Sequence, residues 1–268
     1  MIQVSEIKDS AVIPVNVFSQ IQERAVAGRI PWAGPLLLVS ARTVLLLVTQ
    51  GLLALVFFAQ HRPMPWRAAG DYWAVYGTLV DIGCLLGLRY FTRREGIRLR
   101  DLIGPVHMRR GHDLWLGLGF YLLIFPFFLG GGYFAQKVLY GSSGDSPLKY
   151  LVHPHPLPIW AIVYSLTLWW IIWSPTEETT YQAYVLPRLQ ALTGRTWIAV
   201  VIVGFFWTVQ HCALPFVPDW RYILFRFLAF LPGILMLMLV YLRTRRLAPL
   251  IVSHWPMDIV AAMMNMIY

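Results

Sequence analysis

Cysteine and charge are the scarce components of this chain. Its 268 residues include two cysteines, Cys84 and Cys212, and both sit inside apolar runs, so neither a disulfide framework nor a CxxC metal site can be drawn from them. Charged residues make up 13 % of the chain, against about 25 % in an ordinary soluble domain. Hydrophobic residues reach 58 %, with 12 Trp, 13 Tyr and 15 Phe. These proportions exclude disorder, a coiled coil, a collagen-like repeat and a disulfide-stapled secreted domain. They fit an integral membrane protein.

The balance of 22 basic to 13 acidic residues leaves a net charge of +9. In a soluble protein that excess would point to nucleic acid. Here the basic residues fall mainly in short segments between apolar runs, which reads as topology control and contact with anionic lipid headgroups, with no nucleic-acid partner. The opening MIQVSEIKDS carries acidic residues and no contiguous apolar core, so the first span is expected to be retained rather than cleaved as a signal peptide.

Seven apolar stretches are long enough to cross about 30 Å of hydrocarbon at about 20 residues each. Their approximate limits are 36–59, 72–91, 113–135, 158–187, 196–217, 222–242 and 247–268. The expected fold is an all-α polytopic membrane helix bundle of about seven helices, preceded by a cytoplasmic segment 1–35. That segment contains VNVFSQIQERAVAGR, whose apolar spacing at Val17, Phe18, Ile21 and Ala25 fits either an interfacial helix or a plain polar tail. The fourth stretch contains the polar cluster SPTEETTYQ and could be a long helix, a broken one, or a span plus a membrane-parallel piece. Pro126, Gly130–Gly132, Pro175 and Pro232-Gly233 are expected at kinks or close helix contacts.

Basic residues predict the orientation. With the N-terminus inside, inner segments hold 14 of them and outer segments 5, while Arg42, Arg89 and Arg226 lie within spans. The expected arrangement is N-in and C-out, with Arg188, Arg195 and Arg246 marking inner boundaries.

Ionisable groups deep in a membrane cost at least about 2.5–3.5 kcal/mol each on insertion scales, so they need partners and usually a task. The deep set comprises Asp81, Glu177, Glu178, His211, His254 and Asp258. Counted from the basic boundaries at about 1.5 Å per residue, Glu177 lies roughly 16 Å deep, His211 roughly 24 Å, and His254 and Asp258 roughly 12 and 18 Å. Groups on three spans can therefore meet. His254 and Asp258, at i and i+4, share a helix face, whereas the adjacent Glu177 and Glu178 project about 100° apart. One glutamate can face a shared cavity while the other faces a neighbouring helix, and a carboxylate beside histidine is a workable base for activating water. Asp81 has no partner suggested by spacing and reads as a structural hydrogen-bonding residue. Cys212 beside His211 reads as an inert buried thiol, because helix neighbours do not face one another. His153 and His155, in the outer HPHPLP segment, are a weak metal signal.

Three short patterns occur in order: Glu177-Glu178-Thr-Thr-Tyr-Gln182, Trp207-Thr-Val-Gln-His211 and His254-Trp-Pro-Met-Asp258. This order resembles the EExxxR, FxxxH and HxxxN/D signature of the CPBP family, which includes type II CAAX prenyl endopeptidases, bacteriocin-processing and self-immunity proteins and the Abi relatives. The resemblance covers about residues 158–268. It implies an intramembrane glutamic endopeptidase without metal or other cofactor, acting on a membrane-associated protein or peptide. Under it, Glu177 and His211 activate water, while His254 and Asp258 stabilise the oxyanion or orient the peptide. Two positions depart from the pattern. Gln182 replaces the family arginine, so Glu178 must be protonated, hydrogen-bonded or paired elsewhere, and Trp207 replaces phenylalanine and is expected to conserve packing. No HExxH occurs, in keeping with a metal-free site.

Two other readings fit the same residues: a catalytically silent immunity or scaffold protein of this fold, and a small proton-coupled transporter, since Asp, Glu and His also mark proton paths. One cavity shared by Glu177, His211 and His254 favours hydrolysis; polar sites strung across the bilayer favour transport. The short loops suit a bacterial inner membrane. Oligomeric state is not legible in the sequence.

Overall fold

A computed structural model describes residues 17–104, 111–141, 146–151, 156–264 and 266. Among these the fold is all helical, with one isolated bridge, Ala213 to Phe216, and no sheet. The helices are α1 (Val17–Val26), α2 (Ala33–Ala59), α3 (Pro65–Gly70), α4 (Trp73–Arg94), α5 (Leu99–Ile103), α6 (His112–Tyr140), α7 (Ile159–Tyr164), α8 (Trp170–Glu178), α9 (Leu186–Thr193), α10 (Thr196–Cys212), α11 (Trp220–Thr244) and α12 (Ala248–Met264).

Helices α7, α8 and α9 run on as one element, Ile159–Thr193, of 35 residues. It is joined by two wide π-helical stretches, Ser165–Trp169 and Thr179–Val185. The second precedes Pro187, whose missing N–H and bulky ring disfavour the regular bond to the Ala183 carbonyl at i−4. Of the three readings left open for this segment, the continuous long helix is the one adopted. Pro126, Pro232 and Pro256 likewise lie inside uninterrupted helices.

Among the described residues, five helices are long and apolar enough to cross a membrane: α2, α4, α6, the joined α7–α9 and α11. The other two apolar helices, α10 and α12, have 17 residues each. At about 1.5 Å per residue that is about 25 Å, less than a full hydrocarbon crossing. The fifth apolar run therefore ends at Cys212 rather than 217, because Pro215 and Pro218 close off the helix. The turn after it is clamped by Gln50, whose Oε1 accepts from the Phe216 N–H at 2.9 Å and whose amide donates to the Phe216 carbonyl at 3.1 Å.

The protein is an integral membrane helix bundle. Large side chains such as Trp115, Leu122 and Tyr133 stand exposed on α6, as expected where the surroundings are lipid. Inside, α6 packs on α11 and α12, and α2 packs on α4. Gly131 lets α6 and α11 come close, for a Cβ there would sit 2.5 Å from the Ala229 carbonyl oxygen. Helix α1 docks against α9 with Ile21 buried, and Arg245 stacks over the Phe18 ring at 3.6 Å, so this stretch is not a plain polar tail.

Arg188 does not face the protein surface. It is fully buried inside α9, and its Nε reaches both Glu95 carboxylate oxygens at 3.1 and 3.0 Å. Its guanidinium stacks on Tyr184 at 3.6 Å, and the Tyr184 hydroxyl donates to Glu95 at 2.8 Å. The charge is satisfied by a carboxylate at the end of α4, so no water interface is needed there.

Candidate active site

Glu177 and Glu178 end α8, one residue before the second wide turn, and both are fully buried. As their angular separation requires, they face different partners. Glu177 turns to α10: its Oε1 accepts from the Trp207 indole N–H and lies 3.5 Å from His211 Nε2, and its Oε2 accepts from the Gln210 amide at 2.9 Å. Glu178 turns to α12, with Oε1 at 2.9 Å from His254 Nδ1 and Oε2 accepting from the Gln182 amide. The second glutamate is thus paired to histidine and to the residue standing at the family arginine position.

The other nitrogen of His254, Nε2, lies 3.6 Å from Asp258 Oδ1, across the i, i+4 step. Asp258 in turn accepts from the Ser174 hydroxyl on α8. The His211 ring stacks on Phe230 at 4.1 Å and 15°, which fixes its plane. Trp207 does more than pack: its ring stacks on Tyr181 at 5.0 Å and 13°, while its N–H holds Glu177. A phenylalanine could supply the stack but no donor.

Sequence reasoning missed the layer behind Glu177. Arg42, on α2, is completely buried and pairs with Asp81 of α4 at 2.8 Å. Its Nε donates to the Gln210 carboxamide oxygen at 2.8 Å, and its Nη2 lies 3.5 Å from Glu177 Oε2. The guanidinium also rests over the Trp173 ring at 4.1 Å. Asp81 therefore has an ion-pair partner, one that spacing along the chain could not reveal. The available signal was Arg42 itself, a permanent cation in mid-span.

Glu177, His211, His254 and Asp258 line one cavity of about 420 Å³, a volume typical of small-ligand and peptide-end sites. Its remaining wall is largely aromatic and aliphatic, including Phe128, Trp173 and Leu237. Glu178 and Gln182 lie behind it, where they hold His254. Cys212 is buried, with Sγ against the carbonyls of Thr208 and Ile223, and takes no part in the cluster. No group of three or more His, Cys, Asp or Glu among the described residues is placed to hold a metal ion. His153 and His155 lie outside the described residues.

Taken together, a carboxylate and an imidazole face the same enclosed space, with a second imidazole held nearby between two carboxylates. Such a set can take a proton from water and donate hydrogen bonds to a developing oxyanion. No curated protein and no solved structure matches the chain. Residues 158–260, the stretch that carries the seven numbered positions of the three short patterns named above, match the family described as type II CAAX prenyl endopeptidase Rce1-like, and over that stretch the chain is similar to that family.

Proposed function

We propose that the protein is an intramembrane endopeptidase that hydrolyses a peptide bond of a membrane-associated protein or peptide with water activated by Glu177 and His211. The observation that carries this reading is the convergence of Glu177, His211, His254 and Asp258 on one cavity from α8, α10 and α12. A transporter would instead need polar groups distributed along a path through the bilayer.

In this mechanism one water molecule hydrogen-bonds to both Glu177 and His211 from the cavity side, their facing atoms being 3.5 Å apart. One of the two takes the proton as the water oxygen attacks the scissile carbonyl. The tetrahedral oxyanion accepts a hydrogen bond from His254 Nε2, whose contact to Asp258 is long enough to give way. The proton then passes to the leaving amine as the C–N bond breaks. Glu178, Gln182 and Asp258 orient His254, and Trp207, Gln210 and Arg42 hold Glu177. The excess of basic residues on alternate connecting segments supports an N-in orientation in a bacterial inner membrane, with residues 1–35 on the cytoplasmic side.

The test is comparative terminal proteomics of membranes from strains carrying the wild-type protein or Glu177→Ala. At least one membrane-associated protein should remain uncleaved in the variant alone. Identical termini in both strains would overturn the hydrolase and favour a scaffold. Cleavage by the purified protein should also survive EDTA and phenanthroline; loss of activity restored by zinc would replace the glutamate mechanism with a metal one.

A further inference from the structure

Arg226, on α11, lines the same cavity as Glu177 and His211 and is the only lysine or arginine among its lining residues. Three other buried or half-buried arginines have carboxylates: Arg42 has Asp81, Arg188 has Glu95, and Arg246 has Asp113. Arg226 has none within ion-pair distance among the described residues. Its Nε donates to the His211 carbonyl at 2.9 Å and its Nη2 to the Leu214 carbonyl at 2.7 Å. Its flat face lies over Phe230 at 4.5 Å. These contacts fix the guanidinium while Nη1 makes no hydrogen bond to a described residue. An oriented, charge-unpaired guanidinium at an apolar cavity is suited to an incoming anion, for which its planar fork is well matched.

We propose that Arg226 is the anion subsite of this cavity and binds the free α-carboxylate of the peptide being cleaved. The proposal rests on the endopeptidase reading for the identity of the ligand. Reach supports it: Phe230 stacks on His211 at 4.1 Å and carries Arg226 at 4.5 Å. Those two distances together are spanned by at most about three extended residues, at about 3.3–3.6 Å each. A peptide with its scissile carbonyl at His211 thus brings a nearby chain end to the guanidinium. A lipid phosphate is the other chemistry an arginine at this depth could meet. Arg226 is turned inward against the carbonyls at the end of α10, which favours a ligand already inside the cavity.

The experiment uses the full-length protein in nanodiscs and a pair of fluorescent prenylated CAAX-type peptides, one ending in a carboxylate and one in a carboxamide. Cleavage is measured with wild type, Arg226→Gln and Arg226→Lys, and binding with the same three and with Glu177→Gln. The acid should be preferred over the amide by about tenfold or more in wild type, the ratio should fall to near one in Arg226→Gln, and Arg226→Lys should keep part of it. A misfolded or displaced turn would weaken both peptides alike and leave the ratio unchanged, so the ratio separates recognition from support. Equal treatment of acid and amide by wild type overturns the subsite while leaving the endopeptidase standing. An Arg226-dependent preference in binding without cleavage keeps the subsite and removes the endopeptidase. If the two peptides behave alike but activity rises with phosphatidylglycerol in wild type and not in Arg226→Gln, the site belongs to lipid phosphate and the proposal falls.

Discussion

Arg42 and Gln210 stand 168 positions apart in the chain, yet the guanidinium Nε of the first donates to the carboxamide oxygen of the second at 2.8 Å. That bond settles which way the amide points. With its oxygen held by Arg42, the amide must offer its N–H to Glu177, which it does at 2.9 Å. Arg42→Gln should therefore lower kcat by about 10- to 150-fold, the equivalent of one hydrogen bond to a charged group. Arg42→Lys should retain more activity than Arg42→Gln, because a cation still faces Asp81. Equal turnover in all three proteins, measured in nanodiscs with folding checked by thermal shift, would mean that this layer does not support Glu177.

Trp207 offers a finer probe. Trp207→Phe preserves an aromatic ring for Tyr181 but deletes the N–H that reaches Glu177. We expect a loss of rate of roughly 10- to 100-fold from the missing charge-assisted hydrogen bond. A wild-type rate in this variant would show that the donors from Gln210 and Arg42 suffice.

Glu177 and Gln182, the donor to Glu178, should separate by the size of their effects. Glu177→Ala and His211→Ala should fall to background, because general-base catalysis contributes about 10²–10⁴-fold by itself. Gln182→Ala should remain partly active, since it loses one of the two hydrogen bonds to Glu178 and leaves His254 in place. Gln182→Arg should be tolerated or mildly activating. If all four variants support the cellular phenotype like wild type, the protein does not contribute catalysis.

Glu95 and Arg188 should matter for stability and not for turnover. Glu95→Gln leaves the Arg188 guanidinium buried without its carboxylate, which costs about 3–5 kcal/mol. The folded fraction should show a clearly lower thermal midpoint, with kcat per folded molecule near wild type. A specific fall in kcat with unchanged stability would place this pair in the reaction instead.

The sequence made the long helices legible because they are predominantly apolar runs, and lipid leaves few alternatives to a helix. It also made His211, His254 and the two glutamates conspicuous, since ionisable groups rarely lie so deep. What it concealed was pairing between distant elements. The separation of 39 positions between Arg42 and Asp81 carries no helical period, nor does the separation of 84 between Ser174 and Asp258. Arg188 hid its partner in the same way, for Glu95 arrives from another helix, 93 positions away. Pro215 is plain in the sequence, but hydropathy alone carries the fifth run past it.

The wide turn at Thr179–Val185 acts as a phase adjuster between two anchors. Each residue turns a regular helix by about 100°, and a π-helical stretch amounts to one residue inserted without breaking the rod. Glu177 and Glu178 sit just before it and Arg188 just after it, so it sets the azimuth at which the acidic pair meets α10 and α12 while Arg188 still reaches Glu95. Winding the same residues as regular α-helix, with none deleted, would set the two ends about 100° out of phase. Either the glutamates or Arg188 would then lose their partners, even though every side chain that makes contact remained in the protein.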